Sequence, residues 1–229
     1  MAEYRFHLSL FEIDALRAGR MREIRRPVRR RCIGPDRAYP AGTWSVAAHP
    51  GGGWRATTTT DPRAEFCLDC PFGTVSDRLW IAESWCPAKG LAFTLPRDVL
   101  LSEAGAAARP GIVYRADGTK LRRPLRWETP QVMPRWASRF TIQIAQVRVE
   151  PIQAISREGV IACGFVPTDD GQSIRVPCLE NLANGPTVTA GPATAFELEW
   201  DLRYQKTPFA WDENPYAWVV GVTIVRAVA

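Results

Sequence analysis

Cys67 and Cys70 stand two residues apart in the segment CLDC, the spacing of half a zinc site. A closed site needs four ligands, and the other candidates, Cys32 and Cys86, fall at irregular distances. No metal is therefore expected, and the pair reads first as two reduced, partly buried thiols. The only histidines are His7 and His49, and neither lies in the nucleophile context that a Ser-His-Asp triad requires. The glycines at 51–53 lack the Lys and Ser/Thr of a phosphate-binding loop, and no dinucleotide fingerprint follows a strand. The residues imply no cofactor. Arginine beside tryptophan is the more informative pattern. Arg78–Trp80, Arg126–Trp127 and Arg135–Trp136–Arg139 join phosphate-binding groups to flat stacking surfaces, the combination that holds single-stranded nucleic acid. Tryptophan is more often core than platform. Trp80 and Trp136 are the two expected at the surface.

Charge points the same way. The chain of 229 residues carries 29 bases and 24 acids, a formal net charge of +5. Eight arginines and a single acid, Glu23, lie between Arg17 and Arg31, and the remainder holds 21 bases against 23 acids. One segment makes the protein basic, which argues against a uniformly cationic protein and for one local anionic partner such as phosphate. A solvated arginine-rich face is the plainer alternative. No apolar run reaches the roughly 18 residues that span a bilayer, so no membrane partner is expected. Glu3, Arg5, Glu12 and Asp14 interrupt the place of a secretory signal. The six cysteines are too sparse for a disulfide scaffold. The expected location is the cytoplasm, that of the host if the chain is phage-encoded.

The elements that must position these groups follow from periodicity. Residues 4–10 read as a short strand, and 11–18 as a short helix with Phe11, Ala15 and Leu16 on one face and Gly19 as its stop. Pro, Gly and Thr dominate 40–62, with GGG and TTTT as loop or hairpin material. Asp77–Trp85 reads as a strand with Leu79, Ile81, Glu83 and Trp85 on one face and Trp80, Ala82 and Ser84 on the other. Glu83 among apolar neighbours needs an arginine partner or the mouth of a cleft. From 87 to 134 the pattern is broken and reads as a long insertion. Arg139–Val149 changes its alternation midway, and a bulge near Ala145–Gln146 reconciles the two phases. A helix is expected over 155–163, a loop over 167–192, a helix over 194–204 and a central, apolar strand over 216–228.

Five stretches carry a family resemblance. Ala18-Gly19-Arg20, followed by Arg25-Arg26, resembles the A-G-R-K-T-x-T-x-R opening of ASCH domains, a branch of the PUA-like superfamily. Asp77-Arg78-Leu79-Trp80-Ile81-Ala82-Glu83-Ser84-Trp85 is similar to the G-D-R-L-W-V-R-E-T-W strand of ASCH proteins common in phages and prophages. Met133-Pro134-Arg135-Trp136-Ala137-Ser138-Arg139 is similar to their M-P-R-W-A-S-R segment, and the match continues to Ile155-Ser156. Trp211-Asp212-Glu213-Asn214-Pro215 through Val219 resembles their closing W-D-x-N-P-W-V-W-V, and Cys70-Pro71-Phe72-Gly73 their C-P-Y-G turn. The resemblance runs from about Leu8 to Arg226.

It implies a single α+β, mainly β domain: a PUA-like β-barrel with short flanking helices and long loop insertions at about 32–66, 87–132 and 166–195. It also implies a cleft for nucleic acid or a nucleobase. Some small ASCH proteins are amidohydrolases that deacetylate acetylated cytidine with a Lys, a Thr and a Glu. Here those positions are Met21, Ile24 and, near the end of the predicted 155–163 helix, Cys163. Methionine and isoleucine transfer no protons. The reading is therefore a binding module without catalysis. Arg20, Arg22, Arg25, Arg26, Arg78, Arg135 and Arg139 are its candidate phosphate ligands, with Trp80 and Trp136 as platforms. Its partner is RNA, single-stranded DNA or a modified nucleobase. Were it an enzyme, Glu83 and Lys89 are the acid-base groups left to it. A phage assembly protein that docks a protein partner is the third reading, for which the 87–132 insertion offers a surface.

Overall fold

The computed structural model describes residues 1–29, 37–60, 65–87, 112–118, 126–176 and 189–227. Short-range hydrogen bonding explains the first helix. After strand β1 (Glu3–His7), the Ser9 hydroxyl accepts from Glu12 N at 3.2 Å and the Glu12 carboxylate accepts from Ser9 N at 2.8 Å. This capping box starts α1 (Leu10–Arg17). Gly19, at φ +67°, ends it: its N–H reaches Leu16 O at 3.0 Å, and the N–H of Arg20 reaches Ala15 O at 2.9 Å.

The next strands are β2 (Glu23–Pro27), β3 (Trp44–Ala48), β4 (Trp54–Thr58), β5 (Glu65–Leu68), β6 (Arg78–Ala82), β7 (Trp85–Pro87) and β8 (Ile112–Tyr114). The long β9 (Phe140–Pro151), α2 (Arg157–Ala162), β10 (Ile174–Arg175), β11 (Thr189–Ala190), α3 (Pro192–Tyr204) and β12 (Tyr216–Ala227) complete the order. The central sheet has the order β1-β6-β9-β12-β2, with β1 and β6 parallel and the other pairs antiparallel. Gly221 faces Gln146 while Val222 faces Ile144, so Ala145 is the extra residue of a bulge where the alternation changes phase. β12 is interior to the sheet, as its two apolar faces predict, although Thr223, Ile224 and Val225 are exposed. The chain is thus α+β and mainly β, and among the described residues no sheet closes into a barrel. Among them, too, no helix is long and apolar enough to cross a membrane.

The glycines at 51–53 turn a hairpin, one of the two forms expected of them, while the 32–66 and 87–132 insertions hold more regular structure than loops. The 32–66 insertion contains β3 and β4, and with β5 they form a three-stranded meander that turns through Gly52 and Gly53, both at positive φ. Trp44, Ala56 and Leu68 tie it to the main core. Within 87–132, β8 pairs with β7, and a 3-10 turn at Arg115–Asp117 follows it.

Both faces of β6 are covered. Leu79 and Ile81 join Ile142, Ile144, Val220 and Val222 against α1. Trp80 and Ala82 pack with Trp85, Tyr114, Met133 and Ala137. The sequence placed Trp85 on the Leu79 face, but β6 ends at Ala82, and Trp85 lies with Trp80. The break at Glu83–Ser84 resets the alternation. A third cluster joins α2 and α3, where Phe196, Trp200 and Tyr204 form a stripe at i, i+4 spacing.

Candidate functional site: an aromatic groove beside a filled pocket

Glu83 has its arginine. Its side chain is 0% exposed, and Arg139 grips both oxygens, Nε to Oε1 at 2.9 Å and Nη2 to Oε2 at 2.7 Å. Nη1 of Arg139 reaches Asp117 at 2.8 Å, and its guanidinium lies 3.9 Å from the centre of the Tyr114 ring. Burial pushes the Glu83 carboxyl up, against the pull of Arg139. Neither residue can meet a ligand. This corrects Glu83 as an acid-base candidate and Arg139 as a phosphate ligand; Lys89 lies outside the described residues.

The remaining candidate residues do not share one surface. Arg78 and Trp80 lie on β6, while Arg25 and Arg26 lie on β2, with β9 and β12 between them. Three strand spacings separate the two groups by about 14 Å. Trp80 is only 8% exposed, with the guanidinium of Arg5 at 5.0 Å and that of Arg135 at 5.9 Å from its ring centre. It cannot serve as an open platform. Trp136 is half-buried, Arg135 pairs with Glu3 at 2.7 Å, and Arg78 is half-buried. Arg20 and Arg22 are exposed in the turn before β2.

Arg25 is 4% exposed and bridges Glu23 at 2.8 Å and Glu150 at 3.0 Å, so it is unavailable to a phosphate. Arg26 binds Glu12 at 2.8 Å, and Arg203 binds the same carboxylate at 3.0 Å. Burial opposes ionisation of Glu12, but the two arginines outweigh it and hold the carboxyl far below its ordinary value. A depressed folded-state pKa contributes stability that is full above the unfolded value near 4.5 and lost as pH falls below it. Glu12→Gln is expected to cost about 2–3 kcal/mol at pH 7 by stranding two arginines. Urea unfolding should show that difference shrinking once the pH drops below 4.5.

The motif positions are packed shut. Met21 and Ile24 are each 1% exposed, within the main core. Burial and the nearby Glu23 push the Cys163 thiol up to about 12, so it is inert at neutral pH. Beside them, α1, β2, the end of α2 and α3 enclose a pocket of about 30 Å³, room for one or two water molecules and far below the few hundred Å³ of a ligand cleft.

The large opening lies on the other side of Arg26. A groove of about 830 Å³ runs between β2 and the segment Phe66–Phe72. Tyr39 and Trp218, each 2% exposed, form part of its lining, as does Tyr204. Phe66, 36% exposed, and the half-buried Phe72 present the more accessible rings. The edge of Phe72 is set by a perpendicular contact with Phe6 at 5.1 Å. Arg26 and Arg29 supply positive charge, and Asp69 the opposing one. Cys67 and Cys70 line the same groove, and burial pushes the Cys70 thiol up. Among the described residues no cluster of three or more His, Cys, Asp and Glu is placed to hold a metal ion.

Sequence reasoning reached Arg26 and overlooked Arg29, Phe66 and Phe72. Arg29 belongs to the same arginine run, and Phe72 to the Cys-Pro-Phe-Gly turn. Nothing in the linear order joins those two segments. No protein-family model, no curated protein and no solved structure matches this chain.

Proposed function

We propose that the protein is a non-catalytic nucleic-acid-binding module that seats an unpaired base of RNA or single-stranded DNA, or a modified nucleobase, in the groove beside Arg26 and Arg29. On this reading the open five-stranded sheet is a PUA-like ASCH domain of phage or prophage type, working in the cytoplasm. The observation that carries it is the groove: nucleotide-sized, lined by aromatic rings, and bordered by arginine. Ligand pockets typically run from about 300 to 1,000 Å³. Rings stack any base, and guanidinium groups take the phosphate. Arg26, whose charge is shared with Glu12, and Arg29, which is exposed at the groove and lies over the Phe209 ring, are the two phosphate contacts. The burial of Met21 and Ile24 weighs against deacetylation of acetylated cytidine.

Anisotropy of labelled single-stranded RNA and DNA oligonucleotides, across a salt series, tests the reading. Binding should weaken as salt rises, with a log–log slope near −1, about 0.7 per neutralised phosphate. Arg29→Ala should flatten that slope by about 0.7, and Phe66→Ala should weaken binding roughly 5- to 100-fold at every salt concentration. Affinity indifferent to salt, or untouched by both substitutions, overturns it.

A further inference from the structure

Positive charge also collects on the other face of the central sheet. Leu79 and Ile81 of β6 belong to the main core, and Trp218 of that core lines the groove. Arg78 and Trp80 alternate with them and face the opposite side. The strand registers build two rows on that side. Glu3 of β1 lies beside Arg78, followed by Gln143 of β9 and Thr223 of β12. Arg5 of β1 lies beside Trp80, followed by Thr141 of β9 and Arg226 of β12. Paired residues share a face, so these two rows hold three arginines and one acid, Glu3.

Glu3 is already matched. Arg135, from the turn before β9, holds its two oxygens at 2.8 and 2.7 Å. Arg5 and Arg78 have no such partner. Among the described residues neither makes an ion pair, the Arg78 side chain makes no hydrogen bond, and Arg5 donates to the Gln131 carbonyl. Arg5 is exposed, and Arg78 and Arg226 are half-buried. Arg5 and Arg78 are diagonal neighbours on adjacent strands, close enough to repel each other, and an anion set between them relieves that repulsion. Bases are shut out, because Arg5 and Arg135 lie 5.0 and 5.9 Å from the centre of the Trp80 ring. A surface of this kind contacts phosphate and reads no sequence.

We propose that this face is a second contact for the nucleic-acid strand whose base enters the groove, with Arg5 and Arg78 each neutralising one backbone phosphate. The inference rests on the reading of the groove and extends it to the length of strand bound. About 14 Å of sheet separates the two sites. A trinucleotide, about 10 Å long when stacked, occupies the groove alone, whereas a 15-mer spans about 50 Å and passes round the sheet to the second face.

The test is anisotropy of the full chain with a labelled trinucleotide, a 15-mer, an abasic 15-mer and poly-glutamate of matched charge, across a salt series. The trinucleotide should show the groove's slope near −1, and the 15-mer a slope steeper by about 1.4, two phosphates at about 0.7 each. Between 50 and 200 mM salt that difference costs the 15-mer about sevenfold more affinity. Arg5→Gln with Arg78→Gln should return the 15-mer to the trinucleotide's slope and leave trinucleotide binding unchanged, which also reports an intact fold. Arg5→Lys with Arg78→Lys should keep the steeper slope, because the charge remains. The abasic 15-mer should bind at low salt, weaken in the double glutamine variant and ignore Phe66→Ala. Equal slopes for the two lengths overturn the proposal, as does a 15-mer slope untouched by the double glutamine variant. Poly-glutamate bound more tightly than the abasic strand, and released by that variant, marks an acidic-peptide surface and overturns it too. Failure of the groove reading shows separately, as trinucleotide binding indifferent to Phe66→Ala while Arg5 and Arg78 still set the slope of the 15-mer.

Discussion

Arg139→Ala should lower the stability of the protein by about 3–5 kcal/mol, the cost of stranding a buried charge. Glu83 is 0% exposed, and both its oxygens rest on Arg139, so alanine leaves a carboxylate with no water to replace its partner. The same guanidinium joins Asp117 and the Tyr114 ring to the end of β6. Its loss therefore loosens the turn after β8 as well. Glu83→Ala should cost less, because Arg139 retains Asp117. Pairing Glu83→Leu with Arg139→Met should bring stability back to within about 1–2 kcal/mol of the parent, since apolar replacements of similar volume remove both desolvation penalties. Urea midpoints for the two single variants and the pair decide the matter. Equal costs for both single variants would contradict the bridging role of Arg139. The salt slope of nucleic-acid binding by a folded Arg139 variant should match that of the parent.

Gly164→Ala should cost about 3–4 kcal/mol, from overpacking together with an unfavourable backbone conformation. Gly164 has φ +100°, and a Cβ there would sit 2.3 Å from Cβ of Ala15, a side chain with no rotamer to escape into. Neighbouring hydrogen bonds hold both partners in place: Arg20 N to Ala15 O at 2.9 Å on one side, and Gly164 N to Ile161 O at 2.8 Å and Arg20 Nε to Gly164 O at 3.3 Å on the other. The close approach presses the end of α2 onto α1 and brings Cys163 up to the pocket. Ala15→Gly in the Gly164→Ala background should restore about half the loss, removing the clash and leaving the strained φ. Thermal unfolding of the two variants and the pair checks this. Full additivity of the two single effects would rule out the contact as the cause.

Much of the local structure was legible before the fold. The Gly19 stop, the bulge at Ala145 and the need of Glu83 for an arginine all follow from neighbours along the chain or from alternation, whereas the Ser9–Glu12 cap lies where a strand over 4–10 was expected. The arginine run misled for an equally physical reason. Eight arginines with one acid look solvated in sequence, yet acids from elsewhere come to them. Arg26 meets Glu12 from 14 residues away, and Arg25 meets Glu150 of β9 at 3.0 Å. Trp80 looked like a platform because its position in a strand says nothing of Arg5 and Arg135 closing over it.

The proposed site is one groove with Arg26, Arg29, Phe66 and Phe72, and the Arg–Trp pairs at 78–80 and 135–136 lie apart from it. The sequence by itself determined the two short helices α1 and α2, the longer α3, the strands β1, β6, β9 and β12, and the absence of an acid-base group at Met21 and Ile24. Hydrogen bonds between near neighbours and side-chain alternation are short-range, so they are readable in order. Only the tertiary structure decided which arginines stay open to solvent and where space remains. Both depend on strand order, which sets Arg78 and Arg26 three strands apart and brings Phe66–Phe72 beside β2.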